Sequence, residues 1–293
     1  MVKYLLPIIY SMRWGRYKML APDKPIYTRY STHLGDIDVM QARYVKQNFA
    51  KHYHEGYGLG VITSGAMEFN YRGEKLIASE GLVNSVNPDE AHDGHSFDSE
   101  GWCYSMLYFE ESVFRNLYGD ICEKYETPFI TEGVFKDKHL ATNLSFLVAQ
   151  LLSKNSDRLL NESQIIGILS STILKHSDKR PDVRKIYKLG NKLTKVKEHI
   201  KNNINQKISI KQLADIAGVS LYHFIRSFTA DVGVAPYEYV SMQRARRAKE
   251  LILAGKKAVD VAIECGYTDQ SHMNRWLKKI YGITPRALSN IVL

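Results

Sequence analysis

Two sets of residues in this 293-residue chain have types and spacings suited to chemistry. The first is His52, His54 and His92. His-x-His on a strand sends both imidazoles to one face, and a third histidine would complete an open metal site or help grip an effector. The second set lies in two C-terminal segments, YHFIR at 222–226 and QSHMNRWLKK at 270–279. Arginine, glutamine, asparagine and serine carry the donors and acceptors that base edges in the DNA major groove recognise. Lys278 and Lys279 are better suited to phosphates, which give affinity without sequence information.

Both segments need helices to present them. Ser209–Gly233 and Ala258–Gly282 follow one pattern. Each opens with a short helix, LADIAG or VAIECG, in which Ala214 or Ala262 leaves room for a neighbouring helix. Gly218 or Gly266 ends it, where a positive φ is commonly required. Ser220 or Asp269 then caps a second helix, and Ser209 with Gln212 makes a capping-box pair. Phe224 with Phe228, and Met273 with Leu277, are the apolar positions four apart on the second helices. Between the units, Pro236–Ala254 reads as one long helix carrying Arg244, Arg246, Arg247 and Lys249. A rigid connector of that kind would set two recognition helices about one DNA turn apart.

The charge agrees with a polyanion partner. Residues 186–293 hold 18 Lys and Arg against 8 Asp and Glu, while the remainder holds 22 against 23. All of the excess behind the +9 net charge therefore sits in the last third. The three cysteines, Cys103, Cys122 and Cys265, are too few and wrongly spaced for a disulfide framework or zinc finger, and fit the reducing cytoplasm. The apolar run Tyr4–Met12 is interrupted by Pro7, so neither a signal peptide nor a membrane span is expected.

Short strand-like runs, Leu59–Thr63, Ala66–Tyr71 and Trp102–Phe109, are separated by turn signals such as Ser64-Gly65 and Asn87-Pro88. They predict a sandwich or barrel. Helical stripes follow over 110–122, 138–154 and 158–176, either packed on the sheet or forming a dimer interface. The polar stretch around Pro181 reads as a linker.

LADIAGVSLYHFIRSFTADVGVAPYEYVSMQRARRAKELI and DVAIECGYTDQSHMNRWLKKIYGITPRAL together resemble the AraC/XylS transcription regulators over roughly the last 100 residues. The family's second unit typically carries A…GF…DQSHF-x-R-x-F-KK…G-x-TP; Ala262, Gly266, Tyr267, Asp269 to His272, Arg275, Lys278, Lys279, Gly282, Thr284 and Pro285 fit it. The resemblance implies DNA contacts by Tyr222, His223, Ile225 and Arg226 in the first recognition helix. In the second it implies Gln270, Ser271, His272, Asn274, Arg275, Lys278 and Lys279. Ile225 stands where a polar reader is common, and Met273 and Leu277 where phenylalanine is usual; Trp276 is bulky for a partly exposed position. A plain structural reading stands beside these roles: Arg226 and Arg275 as surface charges, Tyr222 as core, His223 and His272 as local packing or capping groups.

FAKHYHEGYGLGVITSG at 49–65 and NPDEAHDG at 87–94 resemble the cupin-type sensor domains attached to this family. Such a barrel can hold an effector in its mouth. His52, His54, Glu90, His92, Trp102 and Tyr104 are the candidate effector contacts. Metal-binding cupins also expect a glutamate several residues after His-x-His; Gly58 and Leu59 stand there, so no metal or other cofactor is expected.

The expected fold class is α+β multidomain. A cupin-like β-barrel with helices over 1–176 (arm 1–34, barrel 35–110, helices 110–176) precedes a linker, 177–189, and an all-α tandem helix-turn-helix domain, 190–293. The expected function is a cytoplasmic, sequence-specific DNA-binding regulator rather than an enzyme. It would be an activator and a homodimer off the membrane, with double-stranded DNA, RNA polymerase and a small-molecule effector as partners. Two alternatives stay open: a metal-dependent cupin enzyme with a basic helical appendage, and an effector-independent regulator controlled by a protein partner.

Overall fold

The computed structural model describes residues 23–153, 157–181 and 188–290. Nine strands come first: β1 Ile26–Ser31, β2 Asp36–Tyr44, β3 Phe49–His52, β4 Tyr57–Tyr71, β5 Glu74–Ser79, β6 Val83–Val86, β7 His92–Ser96, β8 Trp102–Phe109 and, after helix α1 Glu111–Cys122, β9 Val134–Phe135. Helices α2 Lys138–Leu151 and α3 Arg158–His176 follow. The rest is helical: α4 Asn191–Asn202, α5 Ile210–Ala217, α6 Leu221–Val232, α7 Pro236–Leu253, α8 Ala258–Glu264, α9 Gln270–Tyr281 and α10 Pro285–Ser289. Among the described residues no helix is long and apolar enough to cross a membrane.

The barrel depends on β4. Its first half pairs with β6 and β8, and its second half with β5 and β7, so one strand serves two sheets. The register shifts between Ile62 and Ser64. Ser64 and Gly65 are therefore a bulge inside one strand, not the turn between two strands that the sequence predicts. Gly65 has φ +71°, and a Cβ there would lie 2.1 Å from the Gly101 carbonyl oxygen, so only glycine fits the bend. The two inner faces bury Tyr44, Ile62, Phe69, Trp102, Tyr104 and Met106. α2 packs on this sheet through β2, β4 and β8, as one of the two readings of its apolar stripe anticipates.

The segment 128–133 is sewn to the barrel by polar bonds. Asn87 Nδ2 donates to Tyr71 Oη and to the Ile130 carbonyl at 2.9 Å each, and Asn87 Oδ1 accepts from the Ile130 amide at 2.8 Å. Tyr57 Oη donates to the Pro128 carbonyl at 2.6 Å. On its other side the Thr131 amide donates to the His176 carbonyl, and Asp178 pairs with Phe129. The start of the expected linker is thus held in place; residues 182–187 lie outside the described residues, as do 1–22 of the expected arm. The arm's remainder contains β1, which pairs antiparallel with β2.

Contacts divide the described chain into two compact units, 23–153 with 164–181, and 157–163 with 188–290. Residues 157–163 therefore belong with the C-terminal helices. In that second unit α5 starts with the expected capping box between Ser209 and Gln212. Ser220 and Asp269 cap α6 and α9, and Gly218 and Gly266 take positive φ. α7 packs against α6, α8, α9 and α10. Its buried Arg244 donates to the Ile204 and Gln206 carbonyls and pairs with Asp157 at 3.3 Å. A charge so satisfied is a structural tie, not a phosphate contact.

Candidate effector cavity and nucleic-acid interface

A cavity of about 540 Å³ opens between the two sheets of the barrel. Its wall is aromatic and sulfur-rich, with Met40, Tyr44, Phe49, Phe69, Tyr104 and Tyr108 among its lining residues. That composition suits an apolar body with a few polar anchors. The anchors come from the strand ends. His52 closes β3 and His92 opens β7, and the two are register partners with ring centroids 4.4 Å apart. His54, just beyond β3, lies 4.9 Å from His52 and 5.0 Å from His92, and packs at 5.2 Å against Tyr108 with the rings tilted by 58°. Burial, with the neighbouring imidazoles of His92 and His52 adding to it, pushes the His54 pKa down to about 4. Burial also lowers that of His92.

The three histidines that the sequence sets forty residues apart are thus brought together, and Tyr104 joins them in the wall. The other two candidates are not in the lining. Trp102 is buried among Tyr44, Phe49 and Tyr104, in the core behind the wall. Glu90 offers its backbone carbonyl to His92 Nδ1 at 2.9 Å. Sequence reasoning missed Met40, Tyr44 and Tyr108, whose inward alternation on β2 and β8 was the available signal, and Phe49 at the start of β3. It also missed Arg29 at the cavity edge, held by Asp38 through Nε at 2.6 Å and Nη2 at 2.9 Å.

The two candidate recognition helices differ. On α9, Gln270, Ser271, Arg275, Lys278 and Lys279 are exposed and Asn274 is half-buried. His272 is not on that surface: it is 9% exposed. Trp276 Nε1 donates to His272 Nε2 at 3.2 Å, and Thr268 Oγ1 lies 3.2 Å from His272 Nδ1. The Trp276 ring, also buried rather than partly exposed, packs edge-on against Tyr237 at 5.7 Å and lies under the Lys279 ammonium at 4.6 Å. Two aromatic partners on α7 and α9 explain why the bulky residue turns inward.

On α6, Tyr222, Ile225 and Arg226 are 1%, 2% and 7% exposed, and only His223 of the four expected contacts is half-buried. Arg226 Nη1 donates to Tyr222 Oη at 3.1 Å, and its guanidinium lies 5.3 Å from the Tyr222 ring centre. The sequence pattern assigns Phe224 and Phe228 to the interior and leaves a core place open for Tyr222, which is where the structure puts it; Ile225 joins them. Tyr222 and Ile225 are apolar at three-residue spacing, which widens the buried face around most of the helix.

The family profile described as AraC-like ligand binding domain matches residues 34–169, over the barrel and its helices, and a helix-turn-helix domain profile matches 213–290. This chain belongs to the AraC family of transcription regulators. Relatives of the AraC-family chain extend over both units. An uncharacterized HTH-type transcriptional regulator, YbfI of Bacillus subtilis (strain 168), is 24% identical over 81% of this chain and 86% of its own. The probable transcriptional regulator LumQ of Photobacterium leiognathi is 29% identical over 80% of this chain and 89% of its own. The HTH-type transcriptional activator RhaS of Escherichia coli O81 (strain ED1a) is 21% identical over 84% and 90%.

Proposed function

We propose that this AraC-family regulator is a cytoplasmic, homodimeric transcription activator that reads duplex DNA through both helix-turn-helix units and is biased by a small molecule in the barrel cavity. The observation that carries the reading is the exposed polar face of α9, on the same chain as an aromatic cavity with clustered histidines. Gln270, Ser271, Asn274 and Arg275 face base edges, while Lys278 and Lys279 hold phosphates. α7 has 18 residues, so it spans about 27 Å at 1.5 Å per residue and acts as the strut between α6 and α9. With α6 largely buried, His223 is its remaining candidate contact, and α9 supplies most of the specificity. An effector shifts activity only by binding one state of the protein more tightly than the other. Activation proceeds by contact with RNA polymerase, in keeping with this chain's likeness to RhaS, a transcriptional activator.

The test is selection of binding sites from random duplex DNA by the purified full-length protein. A recovered motif of two segments about 10 base pairs apart supports tandem readout. DNA bound without enrichment of any sequence would sink the specific-regulator reading.

A further inference from the structure

We propose that His52, His54 and His92 form a three-nitrogen site for a divalent transition-metal ion in the cavity wall, whose open coordination positions take an oxygen-donor anion as effector. This deepens the effector reading above and rests on it.

Geometry is the first support. One ring nitrogen from each of the three residues lies within 4.8 Å of the other two, and the group contains no other candidate ligand among the described residues. A tetrahedral ion with metal–nitrogen bonds of about 2.0–2.1 Å needs nitrogens about 3.3 Å apart. Small ring rotations close that gap.

The tautomers are the second support. His52 Nδ1 lies 2.7 Å from the Ala50 carbonyl oxygen, and His92 Nδ1 lies 2.9 Å from that of Glu90. A carbonyl oxygen can only accept, so both Nδ1 atoms carry the proton. Each Nε2 is then left with a lone pair. Metal-ligating histidines are oriented in this way, by donating their other N–H to a backbone carbonyl or carboxylate. The same two bonds hold the rings of neighbouring strand ends within small rotations of their places, so the ligands are gathered before any ion arrives.

Charge decides what completes the site. The glutamate expected in metal-binding cupins is replaced by Gly58. A Cβ there would sit 2.7 Å from Val86 Cγ2 and 3.2 Å from Tyr108 Cε1, so neighbouring side chains fill the space. Of the four carboxylates in the lining, Asp38 is engaged by Arg29, Asp93 by Asn70 and Glu110 by the Ser112 hydroxyl, and Asp36 is not one of the clustered ligands. Three neutral imidazoles leave the double charge of the ion uncompensated by its own ligands. An anion is therefore the favoured fourth partner, and imidazole ligation selects zinc, iron, nickel or copper over magnesium or calcium.

The experiment uses full-length protein purified without a histidine tag, stripped with chelator and titrated with cobalt(II) alone. The expected result is one equivalent bound, with the visible ligand-field absorption of nitrogen-coordinated cobalt. His52→Gln and His92→Gln should each raise the dissociation constant at least tenfold; His139→Gln, on α2, should not change it. Azide added to the cobalt form should shift the absorption, as expected for an open position. Absence of the band, or a band that survives in the folded double variant H52Q/H92Q, would overturn the site. A cobalt band unmoved by azide would overturn the open position. If cobalt does not bind yet small molecules still alter DNA affinity through cavity variants such as Phe69→Ala, the metal is refuted and the effector reading stands. If cobalt binds and azide shifts its band, but no cavity occupant alters DNA affinity, the effector reading is the part that fails.

Discussion

Arg226 and Arg275 occupy corresponding places on two recognition helices yet have different surroundings. Arg275 is exposed, so Arg275→Ala should leave the melting temperature unchanged, cost about 1–3 kcal/mol on the true site and relax one base position. An equal loss on every sequence, measured by fluorescence anisotropy, would reassign it to phosphate. Arg226 is buried against Tyr222, so Arg226→Ala should cost about 2 kcal/mol of stability in urea denaturation. His272 carries a pH dependence. Trp276 donates to its Nε2, so the ring is neutral there, and burial lowers its pKa below 6.5. The unfolded chain takes up the proton first as pH falls. The contribution of neutral His272 is complete above 6.5 and is lost as pH drops from there toward the folded value. His272→Gln, whose amide oxygen still accepts from Trp276, should flatten the loss of melting temperature between about pH 7.5 and 5.5. An unchanged slope would remove His272 as its source.

The helix ends test how far backbone strain governs the elements. Gly266 has φ +73° and its absent Cβ would lie 2.8 Å from the Ile204 carbonyl oxygen; Gly282 has φ +68° with nothing within 4 Å. Gly282→Ala should cost about 1–2 kcal/mol from conformation alone, and Gly266→Ala clearly more. Equal costs in denaturant titration would show that Ile204 and Asn205 yield freely. These elements were the legible part of the sequence, because caps and glycine stops act within a few residues. Ser209, Ser220, Asp269 and Gly218 do in the structure what their types imply. The β4 bulge was not legible as such, since Ser64-Gly65 reads equally as a turn until β8 is seen to pair on both sides of it. For the same reason the cavity was half legible. The His-x-His pair announces itself, but the nearness of His92 and the inward placing of Tyr44 and Tyr108 depend on pairings made far along the chain. Burial of Ile225 was hidden, and that of Tyr222 was only one of two open readings, because a helical period does not say how many neighbours a helix will have.

At the scale of the whole molecule, charge is concentrated in the DNA-reading part, and the salt dependence of binding should reflect it. Lys278→Ala should weaken all duplexes alike and reduce the slope of log affinity against log salt by about 1. An unaltered slope would place Lys278 off the phosphates. Asn87 sets a different global property. By bonding Tyr71 and both backbone groups of Ile130, it joins the barrel to the segment that in turn holds the end of α3. The sheet and the helices behind it should therefore open together as one cooperative unfolding unit. In native-state hydrogen exchange, amides of β6 and of the last turns of α3 should share one opening free energy. Asn87→Ala should split them, with α3 released first; continued coincidence would mean that apolar packing, not this polar rivet, makes the sensor half rise and fall as one body.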